Sequence, residues 1–169
     1  LCAEAALRAG AGLASVATRS EGVAALVAAR PEAMTHAVED ADALQILIKR
    51  ADVLAVGPGL GRGEWGRTLF EAAVGSGKPI ILDADGLGLL AAHPRPLPQA
   101  ILTPHPGEAA RLLGISNEEV QVDRFAAVQA LVEKFDCVVV LKGAGTLVAA
   151  PGEITAVIGA GNPGMATGG

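Results

Sequence analysis

Short runs rich in Val and Ile alternate along this chain with longer Ala/Leu-rich segments of helical period, which leaves few topologies other than a mainly parallel sheet packed against helices. Leu1 to Ala9 reads as a helix closed by Gly10, and a strand follows near Leu13 to Thr18. Ser20 is placed to cap a helix through Ala29, which Pro31 stops. A helix from Ala41 to Lys49 leads into a strand from Asp52 to Val56. The glycine-rich turn Gly57 to Gly63 opens a helix through about Ala73, and Pro79 to Leu82 forms the next strand. A helix over Ala84 to Ala92 precedes the loop of His93, Pro94, Arg95, Pro96, Leu97 and Pro98, whose prolines lack amide donors and exclude a central strand or helix. The strand Ala100 to Leu102, a short helix from Gly107, a longer helix from Asn117 to Lys134 and the strand Cys137 to Leu141 complete the alternation.

The strands beginning near Leu13, Asp52, Ile80, Ala100 and Cys137 are expected in one sheet. Thr146 to Ala150 and Glu153 to Ile158, around Pro151-Gly152, carry the signal of an antiparallel hairpin at the C-terminal end. The whole, residues 1–169, is expected to be a single domain. The first residue is Leu and the last two are Gly168 and Gly169, so both ends are expected to be cut. Aromatics are 2% of the chain, Trp65, Phe70, Phe125 and Phe135, so aliphatic side chains and close approaches at glycines must fill the core.

A net charge of -5 with scattered Lys and Arg argues against nucleic-acid binding, which needs clustered cations. No apolar stretch nears the roughly 20 residues that span a bilayer, so no membrane partner is expected and the location is expected to be cytoplasmic. Cys2 and Cys137 lack metal-ligand spacing and are expected to be buried, reduced thiols.

Four glycine- or proline-rich loops follow apolar strands, at the carboxyl ends where open α/β sheets bind ligands. They are Gly57-Pro58-Gly59-Leu60-Gly61, Thr103-Pro104-His105-Pro106-Gly107-Glu108, Lys142-Gly143-Ala144-Gly145-Thr146, and Gly159 to Gly169. Each alone is no more than a turn; together they make a ligand crevice. The last contains Gly159, Gly161 and Gly164, but Pro163 interrupts the dinucleotide fingerprint and no βαβ unit follows, while Lys78-Pro79 lacks the glycine spacing of a Walker loop. Successive glycines can still expose amides to phosphate, and Lys142 beside Gly143 and Gly145 reads as a nucleotide-site lysine rather than a snorkelling one. His105 is either a loop histidine bonded to backbone or a ligand contact. Glu108 either supports a helix start or holds water around Mg²⁺. Asp85 either caps a helix or meets a ligand, and His36 and His93 are assigned surface roles.

The segments AVGPGLG from Ala55, LDADGL from Leu82, LTPHPGE from Leu102, LKGAGTLV from Leu141 and GNPGMATGG from Gly161 resemble the ADP/ATP-dependent NAD(P)H-hydrate dehydratases of the ribokinase-like superfamily. The resemblance covers essentially the whole chain, including the opening AALRAGAGL. It implies a three-layer α/β/α ribokinase-like fold and the repair of NAD(P)H hydrate by phosphorylation of its C6 hydroxyl and loss of phosphate. Gly59 and His105 would then contact the hydrated nicotinamide nucleotide. Lys142, Gly143, Ala144, Gly145 and Thr146 would contact ADP or ATP, with the Lys-Gly-Ala-Gly-Thr version resembling the bacterial, ADP-using branch. Gly164, Thr167, Gly168 and Gly169 would form the phosphate loop, and Glu108 would act on Mg²⁺ through water. The resemblance places the catalytic Asp beyond Gly169, so none of the present residues is expected to be the base and this segment alone is expected to be inactive. A homo-oligomer is the expected assembly. Two other readings stay open: a vitamin-precursor or sugar kinase of the same fold, and a non-catalytic nucleotide-binding module.

Overall fold

Strands laid side by side in chain order and joined by right-handed crossovers must carry their crossover helices on one face, and this rule shapes the larger part of the molecule. The computed structural model describes residues 1–161. Its elements are α1 (Cys2–Arg8), β1 (Ser15–Thr18), α2 (Ser20–Ala29), β2 (Met34–Ala37), α3 (Ala41–Arg50), β3 (Leu54–Val56), α4 (Glu64–Val74), β4 (Ile80–Leu82), α5 (Ala84–Ala92), β5 (Ala100–Leu102), α6 (Pro106–Leu113), α7 (Asn117–Val122), α8 (Arg124–Phe135), β6 (Val138–Leu141), β7 (Thr146–Ala149) and β8 (Ala156–Ile158).

A six-stranded sheet runs in the order β3-β4-β5-β6-β7-β8. The pairs from β3 to β6 are parallel, and β6-β7-β8 form the expected antiparallel end, with Thr146 opposite Ile158. The buried face carries Leu82, Leu102, Val139, Leu141, Leu147 and Ala149, packed with Phe70 of α4, Leu90 of α5, Leu112 of α6, and Val128, Leu131 and Phe135 of α8. Phe70 and Phe135 are the largest fully buried side chains, so the few aromatics sit where volume is hardest to supply otherwise. On the opposite face Ile81 and Ile101 remain 36% and 37% exposed although their strands are central. The mainly parallel sheet with an antiparallel hairpin at its C-terminal end is the arrangement expected from the sequence.

The expectation of one sheet does not hold for the strand near Leu13. β1 pairs in parallel with β2, Ser15 opposite Met34, in a separate two-stranded sheet joined through α2. β2 escapes sequence reading because Met34 is 41% exposed and no Val/Ile run marks it; pairing with β1 makes it a strand. His36, assigned to the surface, lies on β2 with its Nε2 enclosed and without a hydrogen-bond partner among the described residues. Ser20 is not a cap either. Arg19 is the N-cap residue, and the Ser20 amide donates to Glu39 Oε1 at 2.9 Å, so a carboxylate distant in sequence caps α2. The long helix expected from Asn117 to Lys134 breaks at Asp123, whose carboxylate accepts from the Ala126 amide and starts α8 anew.

Cys2 is exposed rather than buried, whereas Cys137 is buried as expected. α1 buries no residue; Glu4 pairs within the helix with Arg8 and across to Arg30 at the end of α2. Burial, aided by neighbouring Asp136, pushes the Cys137 thiol up from its ordinary 9.0 to about 12. A thiol-specific reagent near neutral pH is expected to label Cys2 quickly and Cys137 only after denaturation; rapid labelling of both would contradict the packing. The raised value also makes the folded state favour the neutral thiol. Its contribution to stability is complete below pH 9.0 and is lost as pH climbs from 9.0 to about 12, where the unfolded chain ionises first. Among the described residues no helix is long and apolar enough to cross a membrane.

Candidate active site

Parallel, in-register pairing brings the carboxyl ends of four strands to one edge: Val56 lies opposite Leu82, Leu82 opposite Leu102, and Leu102 opposite Val139. Backbone bonds then stitch the loops that follow. The Asp83 amide donates to the Val56 carbonyl, Thr103 to Leu82, and Lys142 to Pro104. Loops far apart in sequence thus become neighbours for a purely topological reason.

After β3, Gly57 takes φ +136°, and an added Cβ would lie 1.7 Å from the Asp83 carbonyl oxygen. Only glycine lets this loop pass the next strand end. Asp85 does not cap α5. Its carboxylate accepts from the Gly61 amide at 2.9 Å and pairs with Arg62 at 3.4 Å, anchoring the same loop. Gly59, Gly61 and Gly63 have open space where their side chains would be, so a ligand can approach the backbone there.

After β5, His105 is the N-cap of α6. Its Nδ1 accepts from the amides of Gly107 at 3.0 Å and Glu108 at 3.4 Å, while Glu108 Oε2 accepts from the His105 amide at 2.8 Å. This reciprocal cap leaves two fewer unsatisfied donors at the helix start. It also assigns the neutral ring's proton to Nε2, which lies 3.7 Å from Glu108 Oε1 on a side chain that is 56% exposed. The backbone-bonded reading of His105 and the helix-start reading of Glu108 both hold, and the ring remains more than half exposed.

After β6, Lys142 is not a snorkelling lysine. Its Nζ lies 2.7 Å from Asp83 Oδ1 and 4.0 Å from Glu108 Oε2, bridging the ends of β4, β5 and β6. The loop beyond it turns through Gly143 at φ +143° and Gly145 at φ +66°, and Thr146 Oγ1 donates to the Gly143 carbonyl. Arg124 holds this loop from beneath, donating to the carbonyls of Leu141, Lys142 and Ala144. Sequence reading missed Arg124, and no local signal marks a side chain that acts across so long a separation. It also left Asp83 without a role, although an Asp directly after a strand in such a sheet was the available clue.

Of the expected site residues, His105, Glu108 and Lys142 are brought together, with Ala144 and its neighbours continuing from Lys142 and Gly59 on the β3 loop of the same edge. Gly164, Thr167, Gly168 and Gly169 lie outside the described residues. Among the described residues no group of three or more His, Cys, Asp or Glu side chains forms a metal cage. Asp83 and Glu108 are oxygen donors of the type Mg²⁺ takes, but Lys142 offsets one of their two charges and one Glu108 oxygen serves the cap. That arrangement fits a hydrated ion held through water.

The family model described as NAD(P)H-hydrate dehydratase matches residues 1–169. The bifunctional NAD(P)H-hydrate repair enzyme Nnr of Coxiella burnetii is 52% identical over 100% of this chain, which spans 35% of that protein. Among solved structures, a ribokinase-like superfamily protein from Enterococcus faecalis superposes with TM-score 0.87 at 30% identity, covering 98% of this chain and 59% of its own. The ADP/ATP-dependent NAD(P)H-hydrate dehydratase from Bacillus subtilis, co-crystallised with ATP/Mg²⁺ and soaked with CoA, gives 0.77 at 28% identity, with 95% and 59% covered.

Proposed function

The chain belongs to the NAD(P)H-hydrate dehydratase family, and from that premise we propose that its strand-end loops hold NAD(P)H hydrate beside ADP or ATP for dehydration to NAD(P)H. The observation that carries this reading is the bridge of Lys142 to Asp83 at 2.7 Å and to Glu108 at 4.0 Å, next to a loop opened by Gly143 and Gly145. It places a cation, backbone amides and a nearby imidazole N–H at one edge, a donor set suited to phosphates and to a hydroxylated ring.

The chemistry begins from a hydroxyl at C6 of the hydrated nicotinamide. Hydroxide is a poor leaving group, so transfer of the terminal phosphoryl group of ADP or ATP to the hydroxyl oxygen, with loss of its proton to a base, makes a phosphate ester that can leave. The ring nitrogen's lone pair expels phosphate from C6, and loss of a proton from C5 restores the ring double bond. Lys142 offsets charge on the transferring group, and the amides of residues 143–146 bind the donor. His105 Nε2–H orients the hydrated ring. The resemblance assigns the base to an Asp beyond Gly169, while Asp83 is engaged by Lys142 and Glu108 by the His105 amide. Mg²⁺, held through water beside Glu108, would supply further positive charge to the donor's phosphates.

The test follows reduced nicotinamide formed from hydrated NADH with ADP or ATP and Mg²⁺, using the protein at full length. One phosphate released per NADH regained is expected. A stable phosphorylated alcohol without NADH would instead support the kinase reading, and nucleotide binding without turnover the binding-module reading.

The nucleotide assignment has its own check. Valine at Gly143 or Gly145 must adopt positive φ, and at Gly143 its Cβ would also press on Arg124 Nη2 at 3.0 Å. Affinity for ADP or ATP is expected to fall roughly 10-fold or more, about 1.4 kcal/mol. Calorimetry showing unchanged affinity in both variants would reject the assignment.

A further inference from the structure

Beyond the β3 loop, on the side away from Lys142, a cavity of about 360 Å³ opens between the β1–α2 turn and the glycine loop, lined in part by Thr18, Arg19, Glu21, Gly59, Gly61 and Trp65. Its size falls within the range of small-ligand sites. The Trp65 indole N–H donates to the Val38 carbonyl at 2.9 Å, which fixes the ring, and the Arg19 guanidinium lies over it at 4.7 Å from the ring centroid. Arg8 and Arg30 are paired with Glu4, Arg62 with Asp85 and Arg95 with Glu71, so these four guanidinium groups are engaged. Arg19 is exposed and forms no ion pair among the described residues. A guanidinium stacked on an aromatic ring keeps its N–H edge available for a phosphate.

The sheet order gives this cleft its occupant. If the phosphoryl donor sits on the β6 loop, the reacting nicotinamide must lie beside it, near His105 at the end of β5. The rest of the dinucleotide must then extend away from the donor, across β4 and β3. Two strand spacings separate β5, where the nicotinamide lies, from β3, about 10 Å. A mononucleotide reaches roughly that far, and the second half of the dinucleotide arrives at Gly59 and the cavity behind it.

Resting on the dehydratase reading above, we propose that the Arg19–Trp65 cleft binds the adenylate half of the hydrated dinucleotide, with Arg19 pairing to its phosphate and Glu21 accepting from a ribose hydroxyl. Arg19 is therefore a specificity residue that distinguishes a dinucleotide from a mononucleotide, without a part in the phosphoryl transfer.

The test compares hydrated NADH with the hydrated form of its nicotinamide mononucleotide in the full-length protein, for the wild type, Arg19→Ala and Arg19→Lys. Arg19→Ala is expected to raise KM for hydrated NADH about 10-fold or more relative to KM for the mononucleotide, with kcat for hydrated NADH kept, since a charged hydrogen-bonded pair to phosphate is lost. Arg19→Lys is expected to recover part of the loss. An unchanged KM ratio in Arg19→Ala, or equal losses on both substrates, overturns the proposal while the wild type still regenerates NADH. A wild type that regenerates NADH from neither substrate overturns the dehydratase reading itself.

Discussion

Gly57→Ala is expected to cost about 3 to 5 kcal/mol of folding stability, the sum of a positive-φ strain and the displacement of a backbone neighbour. The alanine Cβ would meet the Asp83 carbonyl oxygen at 1.7 Å, a separation no rotamer change can relieve because both atoms belong to the main chain or are fixed to it. Relief requires the β3 and β4 ends to part, and Gly86, whose own Cβ would lie 2.8 Å from the Val56 carbonyl, leaves no slack there. Gly59→Ala is the control. Gly59 also has positive φ, +73°, but nothing lies within 4 Å of its Cβ position, so a loss of only about 1 kcal/mol is expected. Urea unfolding of both variants decides the matter. Similar midpoints would mean that the close passage at Gly57 is not what holds the strand ends together.

Lys142→Met is expected to lower turnover about 10²- to 10³-fold while changing stability by no more than about 1 kcal/mol. The two numbers differ because of where the ammonium sits. Its partner Asp83 and Lys142 itself are 33% and 38% exposed, so water screens the pair and its loss weakens the fold little. In the reaction, charge accumulates on the transferring phosphoryl group in a site closed by both ligands, where one positioned cation acts with much less screening. Nucleotide-dependent NADH formation and denaturant unfolding are to be measured on the same preparation. A loss of activity no larger than the loss of folded protein would reduce Lys142 to a tie between strands.

The division between elements and loops shows what local pattern carries. Strands β3 to β6 were legible because each is an apolar run bounded by glycine, proline or a polar turn, α4 and α6 because their apolar period is strong, and α5 because it is an apolar segment ended by the proline-rich loop. The break at Asp123 was not, since one aspartate inside a helical pattern reads equally as a surface residue until its carboxylate is seen to take the Ala126 amide. Of the site, Lys142, His105 and Glu108 were legible by position after strands and by resemblance. Arg124 was not, and neither was the stacking of Arg19 on Trp65, because these contacts depend on chain segments distant in sequence.

By itself the sequence determined the α/β class, the hairpin end, the glycine loops and the family, because each depends on side-chain periodicity or on short runs whose chemistry is local. Tertiary structure alone decided that β1 leaves the main sheet to pair with β2, that Lys142 lies against Asp83 and Glu108, and that a cleft lies behind Gly59. Strand partners, ion-pair partners and cavity walls are chosen by which segments the chain brings within a few ångströms, and parallel pairing joins residues separated by a whole crossover. No window of sequence contains both members of such a contact.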